Sequence, residues 1–193
     1  MSAFFGFLLA DGNLSSYVFL NLILGGVLIT GSSNGFNQII ENKTDELMSR
    51  TFSRPLPSKV LSIPEALIFC IITGVLGLYL LASINFSSFI LGLLAMVIYT
   101  VIYTPLKKIT PFAVFVGAIP GAIPFMLGWV AATNQFGIEA GFLFMIQFFW
   151  QFPHFWSIGW LQFEEYKKKF VNKSMFRASC FIRRVVLQIW MGL

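Results

Sequence analysis

The sequence predicts an all-α, polytopic bundle of transmembrane helices, about five complete spans preceded by a partial one. Three observations predict it. Of 193 residues, 57% are hydrophobic and only 11% charged, where a soluble domain carries about 25% charged residues. Mean hydropathy is +0.80. Apolar runs of helical length also recur along the whole chain, broken by short hydrophilic joints, and the sixteen glycines fit helices that pack in lipid. A water-soluble globular protein and a long disordered segment are both excluded.

A spanning helix needs roughly 20 mostly apolar residues. Tyr17 to Gln38 qualifies, with Asn34, Asn37 and Gln38 making its far end polar. Val60 to Ser83 is the second span, with Pro64 in the first turn, where a missing N–H matters little. Phe86 to Tyr103 is the third, expected to end at Pro105. Pro111 to Ala132 is the fourth, interrupted by Pro120 and Pro124, and Ala140 to Trp160 is the fifth, with Pro153 inside it. Met1 to Ala10 reads as the last half of another span. It is too short for one, and without a basic flank it does not read as a cleaved leader.

The joints alternate in kind. Lys43, Arg50, Arg54 and Lys59 fill one, Ser83–Asn85 is uncharged, Lys107 and Lys108 follow, and Glu139 is the charge of the next. All thirteen Lys and Arg residues fall on one side of this alternation. The positive-inside rule makes that side, and the N-terminus, cytoplasmic. The net charge of +5 is therefore topogenic and does not indicate nucleic acid, since no continuous basic patch forms. Cys70 and Cys180 have neither disulfide nor metal spacing.

The richest stretch for chemistry is Asn34 to Pro57. Asn37, Glu41 and Asp45 are spaced four and four, which stacks three oxygen-bearing side chains along one helix face over about 12 Å. Such a set suits Mg²⁺, a hard cation that keeps waters and bridges to substrate phosphates. Arg50 and Arg54, again four apart, suit bidentate contact with phosphate. A cytoplasmic loop with topogenic arginines beside a solvated acidic helix end is the alternative, but it leaves unexplained why the polar face enters the membrane, where such groups are expensive.

Tyr99, Tyr103 and Lys107 repeat the four-residue spacing, with Lys108 adjacent. They read either as a phenol and ammonium facing the same anion or as an interfacial aromatic belt with a snorkelling lysine. His154, the single histidine, sits in Trp150–Phe155 (WQFPHF). Pro153 frees a backbone carbonyl there, an irregularity tolerated where it lines a cavity, so ligand contact and structural packing both stand. Glu164, Glu165 and Tyr166 supply either a second metal site or solvated charge beside the lysine run.

The run from Asn37 to Pro57 (N-x3-E-x3-D-x2-M-x-R-T-x2-R-P-L-P) resembles the protohaem IX farnesyltransferase (haem O synthase) branch of the UbiA-type intramembrane prenyltransferases. The resemblance continues through Tyr103-Thr-Pro-Leu-Lys107-Lys108, Gly117–Trp129 and Trp150–Phe155, and covers about Tyr17 to Lys168. It implies part of a nine-helix bundle around a membrane cavity, capped by cytoplasmic loops that bind Mg²⁺-diphosphate. The implied reaction is farnesyl transfer from farnesyl diphosphate to a vinyl group of protohaem IX, giving haem O for terminal oxidases. By position, Asn37, Glu41 and Asp45 are the first metal-binding motif, and Tyr103 and Lys107 match the family's Y-x3-K. Arg50, Arg54 and Lys108 are implied diphosphate contacts, and Glu165-Tyr166 stands where the usual Asp-Tyr of the second metal motif falls. Tyr99 and Trp150 offer aromatic faces to the allylic cation, and His154 is expected to contact the haem. The implied setting is the lipid bilayer of the bacterial cytoplasmic membrane, with transient contact to haem A synthase or the terminal oxidase assembly.

Residues 1–169 thus form the expected prenyltransferase region. Residues 170–193 form a basic tail that departs from the family pattern, with Lys173, Arg177, Arg183 and Arg184 breaking every apolar run. It is too short to span and suits the membrane surface. The chain is accordingly expected to be truncated at both ends, and an inactive remnant is one alternative function. A prenyltransferase for a quinone-like acceptor is another. A transporter fits less well, because its ionisable residues belong at mid-span, whereas here they gather at one rim.

Overall fold

The computed structural model describes residues 2–46, 51–110 and 112–161, with the side chains of 156 and 158–161 left aside. Every regular element among them is helical. They are α1 (Ser2–Leu9), α2 (Tyr17–Asp45), α3 (Ile63–Ala82), α4 (Phe86–Val97), a π-helical turn (Ile98–Tyr103) that runs into α5 (Thr104–Leu106), α6 (Ala113–Thr133) and α7 (Ile138–Leu161). Four stretches are long and apolar enough to cross a bilayer: Tyr17–Asp45, Ile63–Ala82, Phe86–Leu106 and Ala113–Thr133. The fifth, α7, has 24 residues and hence the length. Gln147, Gln151, Pro153 and His154 lower its hydropathy below that of the others.

Local sequence sets the helix ends. Ser16 caps α2 by accepting from the Phe19 N–H at 3.2 Å. Ser62 and Glu65 form a reciprocal capping box at the start of α3, with Pro64 in the first turn. Asn85 accepts from the Ser88 N–H at 2.7 Å to begin α4, and α6 stops where Asn134 turns left-handed at φ 55°. Each cap satisfies donors that a helix start otherwise leaves open.

Two elements run past the ends of their apolar spans. Beyond the apolar span, which ends near Gln38, α2 continues to Asp45, so Asn37, Glu41 and Asp45 share the one unbroken helix face their spacing predicts. Pro105 does not end the third span either. The preceding π turn takes up its missing N–H: the Thr104 N–H bonds to the Tyr99 carbonyl, five residues back, and Pro105 then opens a last helical turn.

Packing follows from stripes of small residues. On α3, Ala66, Cys70, Gly74, Gly77 and Leu81 are buried, at spacings of four, four, three and four, while Phe69, Ile72, Val75 and Tyr79 face outward. The stripe lies against α2, where the Ser32 hydroxyl donates to the Cys70 carbonyl at 2.7 Å. Small side chains are what let helices approach closely in lipid, where no hydrophobic force separates protein from solvent. At the centre is α6, with Ala118, Ala122 and Val130 fully buried. The core joins it to Phe7 of α1, Leu22 of α2, Leu81 of α3, Leu91 of α4 and Ala140 of α7. The short α1 is held by a reciprocal glycine contact: a Cβ on Gly6 would strike the Phe125 carbonyl, and one on Gly128 the Ala3 carbonyl.

Candidate active site

The site is built where the polar end of α2 meets the end of the α4–α5 helix. Glu41 and Asp45 keep only 3% and 1% of their surface exposed, and buried carboxylates persist as charges only when paired. Each has a cation. The Lys107 ammonium lies 2.8 Å from Glu41 Oε2, and Arg54 Nη1 lies 2.9 Å from Asp45 Oδ2. Lys107 also donates to Asn37 Oδ1 at 2.8 Å and sits 5.3 Å from the centre of the Tyr103 ring. Among the described residues, two carboxylates, an amide oxygen, an ammonium and a guanidinium thus meet in one cluster.

Its layering is directional. The side chains of Arg54 and Lys107 keep 32% and 16% of their surface exposed, against 1% and 4% for their partners. The cations stand at the mouth and the carboxylates beneath.

The surrounding residues fix this geometry. Thr51 is buried and donates its hydroxyl to the Asp45 carbonyl at 2.8 Å, tying the loop that carries Arg54 to the end of α2. The rings of Tyr99 and Tyr103 lie 5.4 Å apart, and the Tyr99 hydroxyl donates to Asn34 Oδ1 at 3.2 Å. A π turn takes more than four residues, so these two tyrosines fall nearly in line.

The structure therefore brings Asn37, Glu41, Asp45, Arg54, Tyr99, Tyr103 and Lys107 together. Lys108 is close by, but its ammonium is tied to the Ile40 carbonyl on α2 at 3.3 Å. Trp150 and His154 stand on the exposed part of α7, and neither joins the cluster through a described contact. Their neighbour Phe155 is the α7 residue whose ring meets Tyr103, at 6.3 Å. Arg50, Glu165, Glu164, Tyr166 and the basic tail lie outside the described residues. Residue spacing alone did not point to Thr51, Thr104 or the pairing of Asn34 with Tyr99. Thr104 was recoverable from its place before Pro105 and three residues before Lys107.

Among the described residues no three His, Cys, Asp or Glu side chains group as a metal site. The donor set is instead one amide oxygen and two carboxylates, all hard oxygens. That set fits Mg²⁺, which is held by one or two carboxylates with water and phosphate completing its shell.

A sequence profile described as the UbiA prenyltransferase family matches residues 1–190. A protoheme IX farnesyltransferase of Flavobacterium psychrophilum is 57% identical over 152 residues, covering 79% of this chain and 51% of that protein. The mitochondrial protoheme IX farnesyltransferase of Arabidopsis thaliana is 39% identical, covering 83% of this chain and 38% of that protein. The chain thus spans about half the length of the bacterial relatives it matches. Among solved structures, a UbiA homologue from Archaeoglobus fulgidus bound to GPP and Mg²⁺ superposes with a TM-score of 0.70. It is 19% identical, and the match covers 100% of this chain and 73% of that one. An apo UbiA homologue from Aeropyrum pernix K1 gives 0.71, also at 19% identity, covering 83% and 61%. At such identity the structural matches speak for the fold.

Proposed function

This chain belongs to the UbiA prenyltransferase family, and from that premise we propose that it serves the Mg²⁺-dependent transfer of a farnesyl group from farnesyl diphosphate to a vinyl group of protohaem IX, giving haem O. One observation carries the reading: two fully buried carboxylates on α2, each paired to a cation that stands nearer the solvent. This is the arrangement a diphosphate and its counter-cation require. The names of the relatives and the GPP and Mg²⁺ in the archaeal homologue support the substrate class.

The chemistry follows from the charges. In the donor, the C1–O bond breaks and the diphosphate leaves with the electron pair. Lys107 and Arg54 face that growing negative charge from a largely buried position, where electrostatic stabilisation is strongest. Asn37, Glu41 and Asp45 would hold Mg²⁺, which when bound neutralises the diphosphate and improves it as a leaving group. The π faces of Tyr99 and Tyr103 line the approach and favour the allylic cation at C1. The vinyl π electrons of protohaem form the new C–C bond, and water quenches the resulting cation with loss of a proton. The acceptor is a neutral vinyl carbon, so the chain need supply no strong base. Trp150 and His154 on α7 are the proposed acceptor side, and Arg50, Lys108 and Glu165 are proposed as further contacts to the diphosphate and its metal.

The same reading places Asn37–Asp45 and the N-terminus at the cytoplasmic face. Cysteines introduced at Ser53 and Asn134 should react with an impermeant thiol reagent from opposite sides of the membrane. The function is tested by incubating membranes that contain the chain with protohaem, farnesyl diphosphate and Mg²⁺, then extracting haem. Haem O should form and disappear with chelation of Mg²⁺. Prenylation of a quinone-like aromatic in place of haem would move the acceptor, and no transfer to either would end the proposal.

A further inference from the structure

The π turn between Ile98 and Tyr103 ends on Thr104, a residue given no role so far. It is fully buried. Its hydroxyl lies 2.8 Å from the Tyr99 carbonyl and 3.2 Å from Asn37 Oδ1. Asn37 Oδ1 is in turn the acceptor for Lys107 at 2.8 Å. One threonine therefore connects the irregular backbone of α4 to the amide that receives the site's ammonium.

We propose that Thr104 is a positioning residue: its buried hydroxyl holds the Asn37 amide oxygen in place and so sets where the Lys107 ammonium stands when a prenyl diphosphate binds. This rests on the reading of the cluster as a prenyl diphosphate site. A threonine side chain has restricted χ1 freedom, so a buried one is a fixed post. Its hydroxyl has a single hydrogen, which serves the Tyr99 carbonyl or the Asn37 oxygen. The Tyr99 carbonyl keeps a second donor in either case, the backbone N–H of Thr104 itself. The helix therefore does not depend on the hydroxyl, and its hydrogen is available to the Asn37 oxygen, which it shares with the mobile Lys107 ammonium and which, among the described residues, it alone ties to a fixed backbone. The π turn is what aims it: Pro105 supplies no N–H, and the extra residue in the turn sets the Thr104 hydroxyl between the Tyr99 carbonyl of its own helix and Asn37 of α2.

The test is binding of farnesyl S-thiolodiphosphate, an unreactive analogue, to the full chain in detergent with Mg²⁺. Comparison is between wild type, Thr104→Val and Thr104→Ser. Valine keeps the shape and removes the hydroxyl, so affinity should fall about fivefold, as expected for one hydrogen bond of about 1 kcal/mol. Serine keeps the hydroxyl and should bind within about twofold of wild type by the same reckoning. In turnover, Thr104→Val should lower kcat more than it raises KM for the acceptor, since the proposed acceptor side lies on α7. If valine does not fold, Thr104→Ala, which also removes the hydroxyl, is read against Thr104→Ser in the same way. Equal binding by wild type and Thr104→Val overturns the positioning role and leaves the site assignment standing. Equal loss in Thr104→Ser overturns it too, because the methyl group would then be what matters. Failure of the wild-type chain to bind the analogue at all overturns the diphosphate reading and this inference with it.

Discussion

The polar end of α2 and the aromatic stretch of α7 both carry residues that suit ligand contact, and they come out differently. On α2, Glu41 and Asp45 are buried and meet Lys107 and Arg54 at hydrogen-bond distance. On α7, Trp150 is 63% exposed and His154 is also exposed, while Gln151 and Phe155 turn inward, to the Gly121 carbonyl and the Tyr103 ring. The difference is one of electrostatic obligation. A carboxylate on a face that enters the membrane needs a cation wherever it is buried, so its partners must converge on it. A histidine and a tryptophan can place an apolar body in the membrane and a polar tip at its interface, so the sequence does not oblige them to face inward.

Five substitutions sharpen that contrast. The largest effect is expected from Lys107→Met, which strips the ammonium from Glu41 and Asn37 together. Leaving a buried carboxylate without its cation destabilises by about 3–5 kcal/mol, so both the melting temperature and haem O formation should drop steeply. Haem extraction and thermal unfolding in detergent measure the two. If Lys107→Met melts and turns over like wild type, the pairing carries neither stability nor function.

Asp45→Asn is next. The amide still accepts from Arg54, so the fold should hold while turnover falls by about tenfold or more through loss of charge at the metal position. Asp11→Asn, in the connection between α1 and α2 where φ is already 53°, should leave turnover unchanged. Gly128→Val acts on the apolar side of the comparison. Its Cβ would strike the Ala3 carbonyl, and overpacking of this kind costs about 1–3 kcal/mol. Melting should fall, yet affinity for the thiolodiphosphate should persist at temperatures where the variant is folded. The smallest effect on the α2 site is expected from His154→Ala, with analogue binding unchanged and only the protohaem KM raised. A loss of analogue binding there would mean that α7 and α2 share one subsite.

Much of the helical frame was legible because each span carries its own apolar length and its own caps. Ser16, Ser62 with Glu65, and Asn85 start helices by local rules that require no knowledge of the rest of the chain. The row Asn37, Glu41, Asp45 was legible for the same reason, since spacing of four is a property of one helix. What the sequence hides are the features that depend on two elements at once. Pro105 reads locally as a stop, but the π turn before it lets the helix continue and brings Thr104 and Lys107 against α2. The pairing of Lys107 with Glu41 and of Arg54 with Asp45, and not the reverse, is fixed by that turn and by the Thr51 hydroxyl on the Asp45 carbonyl. The direction of α7 is hidden for another reason: its aromatic side chains fall on both inner and outer faces, and its polar residues divide, with Gln151 turned inward and His154 exposed.

The central claim is that the carboxylates under Lys107 and Arg54 receive the metal of a metal–diphosphate pair. The most direct measurement is titration of the full chain with farnesyl S-thiolodiphosphate, with Mg²⁺ and with chelator, in wild type and in the double variant Glu41→Gln/Asp45→Asn. The account predicts tight binding to wild type that needs Mg²⁺, and binding to the double variant that is weak and indifferent to Mg²⁺, since Lys107 and Arg54 remain but the oxygens beneath them no longer carry charge. Mg²⁺-dependent binding of equal strength in both proteins would contradict it.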